Sequence, residues 1–294
     1  MVVISPYQHL LERTPVREHS GTFAGVRTEW FEYGDPAAPA LVFVHGFRGD
    51  HHGLETIAAH LPGFRILIPD LPGFGASDPF AEEAGIDDYA DWLRQFAAAQ
   101  APGRPVLGHS FGSIVVSAAA AGGLDASALI LINPIGAPAL SGPKRVLSLG
   151  ALGYYRLAAL LPERAGVGLL AAQPIVRGMS VFMAKTSDRA VRAWIHDQHD
   201  RYFSCFADRA SLLAAFTASI TEDVSEYAGR ITQPTLLITA EKDDITPIAR
   251  QHVLRGMFAD AQLSVLPDVG HLIHYERPAE AASSIRRWLR ARAL

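Results

Sequence analysis

Hydrophobic and polar positions along the chain fall into two alternating rhythms. Val26–Tyr33, Ala40–Val44, Phe64–Ile68, Val106–Leu107, Ala128–Ile132, Thr235–Thr239 and Gln262–Leu266 predict strands. Several of these are nearly continuous aliphatic runs, as a parallel strand needs when both of its faces are covered. Between them, Gly53–His60, Ile86–Ala99, Phe111–Ala121, Ile248–Phe258 and Pro278–Arg292 predict helices. Strands alternating with helices imply an α/β fold, a mostly parallel sheet flanked by crossover helices.

The rhythm breaks once. After Leu131-Ile132-Asn133-Pro134 no strand pattern returns until Thr235. The intervening chain is rich in Ala, Leu, Gly and aromatic residues, with expected breaks at Pro162, Gly166, Gly168 and Pro174. A helical insertion between two strands of one sheet is the simplest account. It divides the chain into a core, 1–134 with 220–294, and a lid, 135–219. Met179, Phe182, Met183, Trp194, Tyr202, Phe203 and Phe206 are its bulky apolar residues, and Phe182, Met183 and Phe206 are the candidates for contact with substrate.

Composition narrows the function classes. The 294 residues are 49% hydrophobic and 19% charged, enough to bury a large core without a disulfide or metal staple. A net charge of -4, with no cluster of Lys and Arg among aromatics, speaks against a nucleic-acid partner. Cys205 is the only cysteine, so no internal disulfide can form. It is expected to be buried filler in a protein of a reducing compartment. Glu12, Arg13, Arg17 and Glu18 leave no apolar leader near the N-terminus. The greasy stretch Val146–Leu161 is interrupted by Gly150, Gly153 and Arg156 and falls short of an integral membrane segment. The expectation is a cytoplasmic enzyme, with a homodimer left open.

The strongest chemical signal is Val106-Leu107-Gly108-His109-Ser110-Phe111-Gly112-Ser113, in which an apolar strand runs through G-x-S-x-G into an Ala-rich helix. A serine on such a strained strand-to-helix turn stands clear of the backbone, and the helix N-terminus points its N–H groups at an oxyanion forming there. A serine hydroxyl needs a base to take its proton during attack, and the base needs an acid to orient it. The chain has 12 histidines. His271, on a loop between a strand-like segment and the last helix, is the candidate base. A carboxylate between serine and histidine in chain order should end a strand. Asn133-Pro134 offers none after one strand, and Asp243 with Asp244 follows the next. There is no G-x-G-x-x-G after a strand, no Walker loop, no H-E-x-x-H and no Cys pair, so no cofactor or metal is implied.

The motifs together resemble the α/β-hydrolase fold family, in particular its serine carboxylesterases and lipases. Val42-Phe43-Val44-His45-Gly46-Phe47 is similar to the family's oxyanion loop, and Asp70-Leu71-Pro72-Gly73-Phe74-Gly75-Ala76-Ser77-Asp78 to its next loop. Thr239-Ala240-Glu241-Lys242-Asp243-Asp244-Ile245-Thr246-Pro247 is similar to its acid loop, with Ala240 where Gly is usual. Gly270-His271, with Glu276-Arg277-Pro278 beyond it, is similar to its histidine loop. The resemblance spans about residues 22–133 and 228–294. It implies a lid after the sixth strand, Ser110 as nucleophile, His271 as base and Asp243 as acid, with Asp244 the alternative. It also implies the backbone N–H groups of Phe47 and Phe111 as the oxyanion hole.

The activity expected is hydrolysis of a carboxylic ester or thioester of a small to medium apolar acyl group. Three alternatives stand beside it. One is a carbon–carbon bond hydrolase of dienoate ring-fission products, weakened by Leu272 where that family carries Trp after the histidine. Another is an acyltransferase or lyase using the same triad. A non-catalytic ligand receptor is the third.

Overall fold

The computed structural model describes residues 3–137 and 145–294. One eight-stranded sheet organises the core. In chain order its strands are β1 (Val16–Phe23), β2 (Val26–Tyr33), β3 (Ala40–Val44), β4 (Arg65–Pro69), β5 (Val106–His109), β6 (Leu129–Ile132), β7 (Thr235–Ala240) and β8 (Ala261–Leu266). Their spatial order is β1-β2-β4-β3-β5-β6-β7-β8, with β1–β2 and β2–β4 antiparallel and every other pairing parallel.

The parallel strands are buried end to end from β3 through β7 apart from the first residue of β4. Two apolar clusters explain why. Trp92, Phe96, Phe111 and Val116, from the helices Ile86–Gln100 and Phe111–Ala121, cover one face. Ile57, Leu61, Ile285 and Trp288, from Glu55–Ala59, its exit and Pro278–Ala291, cover the other. At roughly 25 cal/mol per Å² of apolar surface, this double coverage is the main stabilisation of the core.

The strand missing from the sequence reading is β1. It is an edge strand of mostly polar residues, Val-Arg-Glu-His-Ser-Gly-Thr-Phe, alternating between exposed and half-buried up to the buried Phe23, and it carries no apolar stripe. A tight turn holds it in register. Ala24 and Gly25 both take positive φ (48° and 77°) between the paired Phe23 and Val26, the geometry of a two-residue hairpin whose twist matches that of its strands.

Between β6 and β7 the chain leaves the sheet and forms the helices Arg145–Leu160, Glu163–Leu170, Gln173–Met183, Arg189–Tyr202 and Arg209–Thr221. The boundary expected at residue 219 falls inside the last of these. Pro162 separates two helices and Pro174 opens one, but Gly166 and Gly168 sit within the helix Glu163–Leu170. Gly166 serves packing, since a Cβ there would stand 2.4 Å from the Ala158 carbonyl oxygen of the neighbouring helix. Residues Glu163–Met183 have the length and mean hydropathy (1.3) of a membrane span, a window longer than Val146–Leu161. A turn at Ala171 and Ala172 divides that window into two short helices. Cys205 is exposed, not buried: its segment lies over the Gly73–Gly75 turn, where its carbonyl accepts from Gly75 N at 2.9 Å.

Candidate active site

The turn after β5 sets the geometry of the site. Ser110 adopts φ 53°, ψ -118°, a conformation that costs an L-residue about 1–3 kcal/mol and persists only where the surroundings impose it. Gly108 and Gly112 are both needed for close approach. A Cβ on Gly108 would stand 2.3 Å from the Gly112 oxygen, and one on Gly112 would stand 2.4 Å from the Val44 oxygen at the end of β3. The backbone around the serine is tied on both sides: Ser110 N donates to Ile132 O at 3.0 Å and its carbonyl accepts from Ser113 N at 2.8 Å.

His271 Nε2 lies 2.9 Å from Ser110 Oγ, and His271 Nδ1 lies 2.7 Å from Asp243 Oδ2. With the imidazole neutral, the serine hydroxyl donates to Nε2 and the Nδ1–H donates to the carboxylate. Asp243 is held in turn by Ile245 N at 2.7 Å and Thr246 N at 3.1 Å on Oδ1, and by the Thr246 hydroxyl at 2.5 Å on Oδ2. Burial pushes the Asp243 carboxyl up, but the His271 charge and hydrogen bond, with those from Thr246, outweigh it and hold it down at about 2. Asp244, its neighbour, points elsewhere and forms an ion pair with Lys185 at 2.7 Å. The structure therefore brings Ser110, His271 and Asp243 into one hydrogen-bonded line and leaves Asp244 out of it.

The backbone N–H groups of Phe47 and Phe111 donate to no protein acceptor among the described residues, and both residues border the same cavity as Ser110. Gly46 lets the Phe47 loop come this close: a Cβ there would meet His109 Nδ1 at 3.0 Å and Ser110 Cβ at 3.3 Å. His45 shapes the loop. Its Nε2 accepts from Leu71 N at 2.9 Å and its Nδ1 donates to Gly46 O at 2.9 Å, which fixes a neutral tautomer, and burial lowers its pKa. Asp70 is a loop tie as well, accepting from His51 N, His51 Nδ1 and Ala76 N at 2.8–3.0 Å.

Asn133 is a positioning residue that the sequence reading passed over. Fully buried at φ 43°, it donates from Nδ2 to His271 O at 2.8 Å and accepts from Ala240 N on Oδ1 at 2.9 Å. One amide thus ties the end of β6 to the end of β7 and to the backbone of His271. The available signal was Asn directly after a buried strand, since Asn tolerates positive φ better than most residues.

Behind His271 stand two more histidines. The His109 and His274 rings are 4.3 Å apart in an edge-to-face arrangement, and His109 is 5.5 Å from His271. Burial, helped by the nearby His271, pushes His109 down to about 3, while burial and neighbouring imidazoles push His274 well down. His199, in the insertion, is likewise pushed down to about 3 by burial and then by His196. These rings stay neutral in the fold, whereas in the unfolded chain each takes up a proton near pH 6.5. The unfolded state therefore binds more protons as the pH falls below that value, and stability is lost from there down towards pH 3. A single such histidine contributes a loss of about 1.4 kcal/mol between about pH 7.5 and pH 5.5. His199→Phe should flatten the fall in urea-unfolding free energy by that amount, and an unchanged pH slope would show the ring to be charged in the fold.

A cavity of about 920 Å³ is bordered by Ser110, His271, Phe47 and Phe111 from the core and by Met179, Phe182, Met183 and Tyr202 from the insertion. Trp194 does not border it and packs edge-on to Tyr7 and to Tyr275, which does. Phe206, expected beside Phe182 and Met183, does not border the cavity. Its segment forms a bridge to Phe74, and its ring faces the Arg48 guanidinium 5.8 Å away. Asp50, His51 and His52 bring potential metal-ligand atoms within 4.8 Å of one another. Their polar atoms are engaged locally: Asp50 Oδ1 accepts from His52 N and Nδ1 at 3.0 and 3.1 Å, and His51 binds Asp70.

Comparison with known proteins places this geometry in a family. The 2-succinyl-6-hydroxy-2,4-cyclohexadiene-1-carboxylate synthase of Escherichia coli is 26% identical over 266 residues, covering 88% of this chain and 97% of that protein. A thermophilic esterase from Thermogutta terrifontis superposes with a TM-score of 0.76 at 22% identity, over 94% of this chain and 98% of that one. An esterase from Exiguobacterium antarcticum gives 0.75 at 18% identity, over 92% and 99%. The profile of the Alpha/beta hydrolase family matches residues 41–284, from β3 to the last helix, and the chain belongs to that family.

Proposed function

We propose that this protein is a serine hydrolase that cleaves a carboxylic ester or thioester of a small to medium apolar acyl group. The observation that carries the reading is the continuous line Ser110 Oγ–His271–Asp243, with two backbone N–H groups beside it that no oxygen of the described residues takes. As Ser110 Oγ attacks the carbonyl carbon, its proton moves to His271 Nε2. The imidazolium is stabilised by Asp243, and the oxyanion by the N–H groups of Phe47 and Phe111. The proton then passes to the leaving oxygen or sulfur, giving an acyl-enzyme. Water, deprotonated by the same histidine, releases the acid. Fluorophosphonate labelling of Ser110, with a screen of p-nitrophenyl esters and acyl thioesters, tests the proposal. An unlabelled serine and no turnover across the series would refute it.

Relatives named as a synthase favour one second reading, lyase chemistry in which His271 and Ser110 move protons without an acyl-enzyme. Rapid quenching separates the two, because only the hydrolase reading traps a substrate-derived acyl group on Ser110.

We further propose that the helical insertion is a lid that sets acyl preference. Phe182 borders the cavity and Phe206 does not, so the two should differ. Phe182→Ala should shift the chain-length optimum, with kcat/KM for the preferred chain falling by about 1–3 kcal/mol per lost methylene contact. Phe206→Ala should leave the optimum in place. Identical chain-length profiles for Phe182→Ala and wild type from acetate to octanoate would show that the insertion does not select the acyl group.

A further inference from the structure

Arg48 follows Phe47 directly, in the loop whose N–H group the proposed mechanism uses. It holds a left-handed φ of 62°, and its side chain is 2% exposed. A buried guanidinium without a counter-ion is costly, so its partners need an account. No carboxylate pairs with it among the described residues, and residues 138–144 contain none. Its nitrogens go to three neutral oxygens of the insertion. Nε donates to Phe203 O at 2.9 Å, Nη2 to Leu170 O at 2.6 Å and Nη1 to the Tyr155 hydroxyl at 3.2 Å.

The first two partners explain how the charge is tolerated. Leu170 is the last residue of the helix Glu163–Leu170, and Phe203 is the C-cap of Arg189–Tyr202. Carbonyls at helix C-termini lack intrahelical donors and carry the negative end of the helix dipole, worth about half an elementary charge each. Two such ends converge on one guanidinium, and the Phe203 ring lies 5.0 Å from it. Among the described residues the cation is met by two backbone carbonyls and a tyrosine hydroxyl of the insertion, and by no hydrogen-bond acceptor of the core.

From this we propose that Arg48 is a positioning residue that makes the oxyanion hole depend on the seated insertion. The proposal rests on the hydrolase reading above. The Phe47 N–H lies one residue from an arginine whose backbone is strained and whose side chain is anchored, through three bonds, to three separate helices or their ends. While the insertion is docked, those bonds hold the loop conformation in which the Phe47 N–H is free. If the insertion lifts, the guanidinium loses all three acceptors, the strain at φ 62° is no longer opposed, and the loop relaxes. Acylation is then confined to the state in which the insertion covers the pocket.

The test uses Arg48→Met and Arg48→Lys in the whole protein, with Tyr155→Phe as a milder variant on the side of the insertion. Each is assayed for kcat and KM on the best ester, for the rate of fluorophosphonate labelling, and for affinity for an alkyl boronic acid, which mimics the tetrahedral intermediate. One oxyanion donor is worth about 10²–10³ in kcat, so a displaced donor should cost Arg48→Met about 10–100-fold in kcat. KM should stay within about threefold, because the interaction lost is made in the transition state. Labelling and boronate affinity should fall with kcat, Arg48→Lys should recover only part of the loss, and Tyr155→Phe should show the same pattern at smaller size. Overturning results are a folded Arg48→Met with kcat within about twofold of wild type, or a rise in KM at unchanged kcat. A loss of kcat that disappears on cooling would reduce Arg48 to thermal stability and also overturn the proposal. If Arg48→Met does not fold, Tyr155→Phe decides, and wild-type kcat and boronate affinity there overturn it. A wild-type protein that the fluorophosphonate does not label refutes the hydrolase reading itself, whereas equal labelling of wild type and Arg48→Met refutes the coupling alone.

Discussion

Replacing Ser110 by Ala should remove turnover while leaving the fold intact. Losing one member of such a serine–histidine–acid line costs on the order of 10⁴–10⁶ in rate, the residue of catalysis coming from the oxyanion donors and binding alone. The backbone holds Ser110 at φ 53° through the Ile132 and Ser113 hydrogen bonds, and none of these needs the hydroxyl. Ser110→Ala therefore keeps both the strain and the stability of the wild type. Ser110→Gly, equally inactive, should raise the urea midpoint by relieving part of the 1–3 kcal/mol that a side chain costs in such a conformation, about 1 kcal/mol in practice. Steady-state assay of the best ester and urea unfolding of all three proteins check both halves. More than about a tenth of wild-type kcat/KM in Ser110→Ala would move the nucleophile elsewhere, since no transition-state role of this kind survives so small a loss.

The parts of the fold that showed in the sequence are those whose physical requirement is local. Strands β3 to β7 are covered on both faces and so read as continuous aliphatic runs. The turn at Ser110 shows because its two glycines flank the serine at fixed spacing, one of them, Gly108, answering a contact with Gly112 four residues on. Strand β1 did not show, because its stabilisation comes from pairing with β2 at an exposed edge and leaves no hydrophobic pattern. The insertion showed as a break in rhythm, but the roles within it did not. Aromatic spacing alone cannot say that Phe182 faces a cavity while Phe206 is joined to Phe74. Nor could it say that Cys205 lies on an exposed crossing over the Gly73–Gly75 turn.

The same distinction separates the residues of the site. Ser110 and His271 sit in motifs whose neighbours announce them. Asn133 and Arg48 act through partners far away in the chain, at His271 and Ala240 for one and at Tyr155, Leu170 and Phe203 for the other. A lone Arg between Phe and Gly carries no local pattern, and Asn after a buried strand hints at its backbone conformation but not at its partners. Their importance exists only once the chain is folded.

Asp243 and Asp244 were indistinguishable by type and adjacent in sequence, and substituting each by Asn should now separate them sharply. Asp243→Asn keeps the shape of the side chain but removes the charge beside His271 and offers an amide where Nδ1–H found a carboxylate oxygen at 2.7 Å. If the amide turns its NH₂ towards the ring, it must donate to Nδ1, and the proton moves to Nε2. That nitrogen then presents a hydrogen to Ser110 Oγ where it must accept one. The wrong tautomer, with no carboxylate to stabilise the imidazolium, should lower kcat by about 10⁴-fold. Asp244→Asn weakens a partly exposed ion pair to Lys185, the kind worth about 0–1 kcal/mol, and should leave kcat/KM within about fivefold of wild type. The acid limb adds a second check. The Asp243 carboxyl is held down at about 2, so the stability gained from its charged form is full above the ordinary carboxylate range and is lost progressively as the pH falls from that range through about 2. Asp243→Asn should therefore lose stability at neutral pH and converge on wild type in strong acid, and Asp244→Asn should run parallel to wild type. Equal kinetic losses in the two variants, or the larger one at Asp244, would mean that the hydrogen bond between Asp243 and His271 does not orient the base.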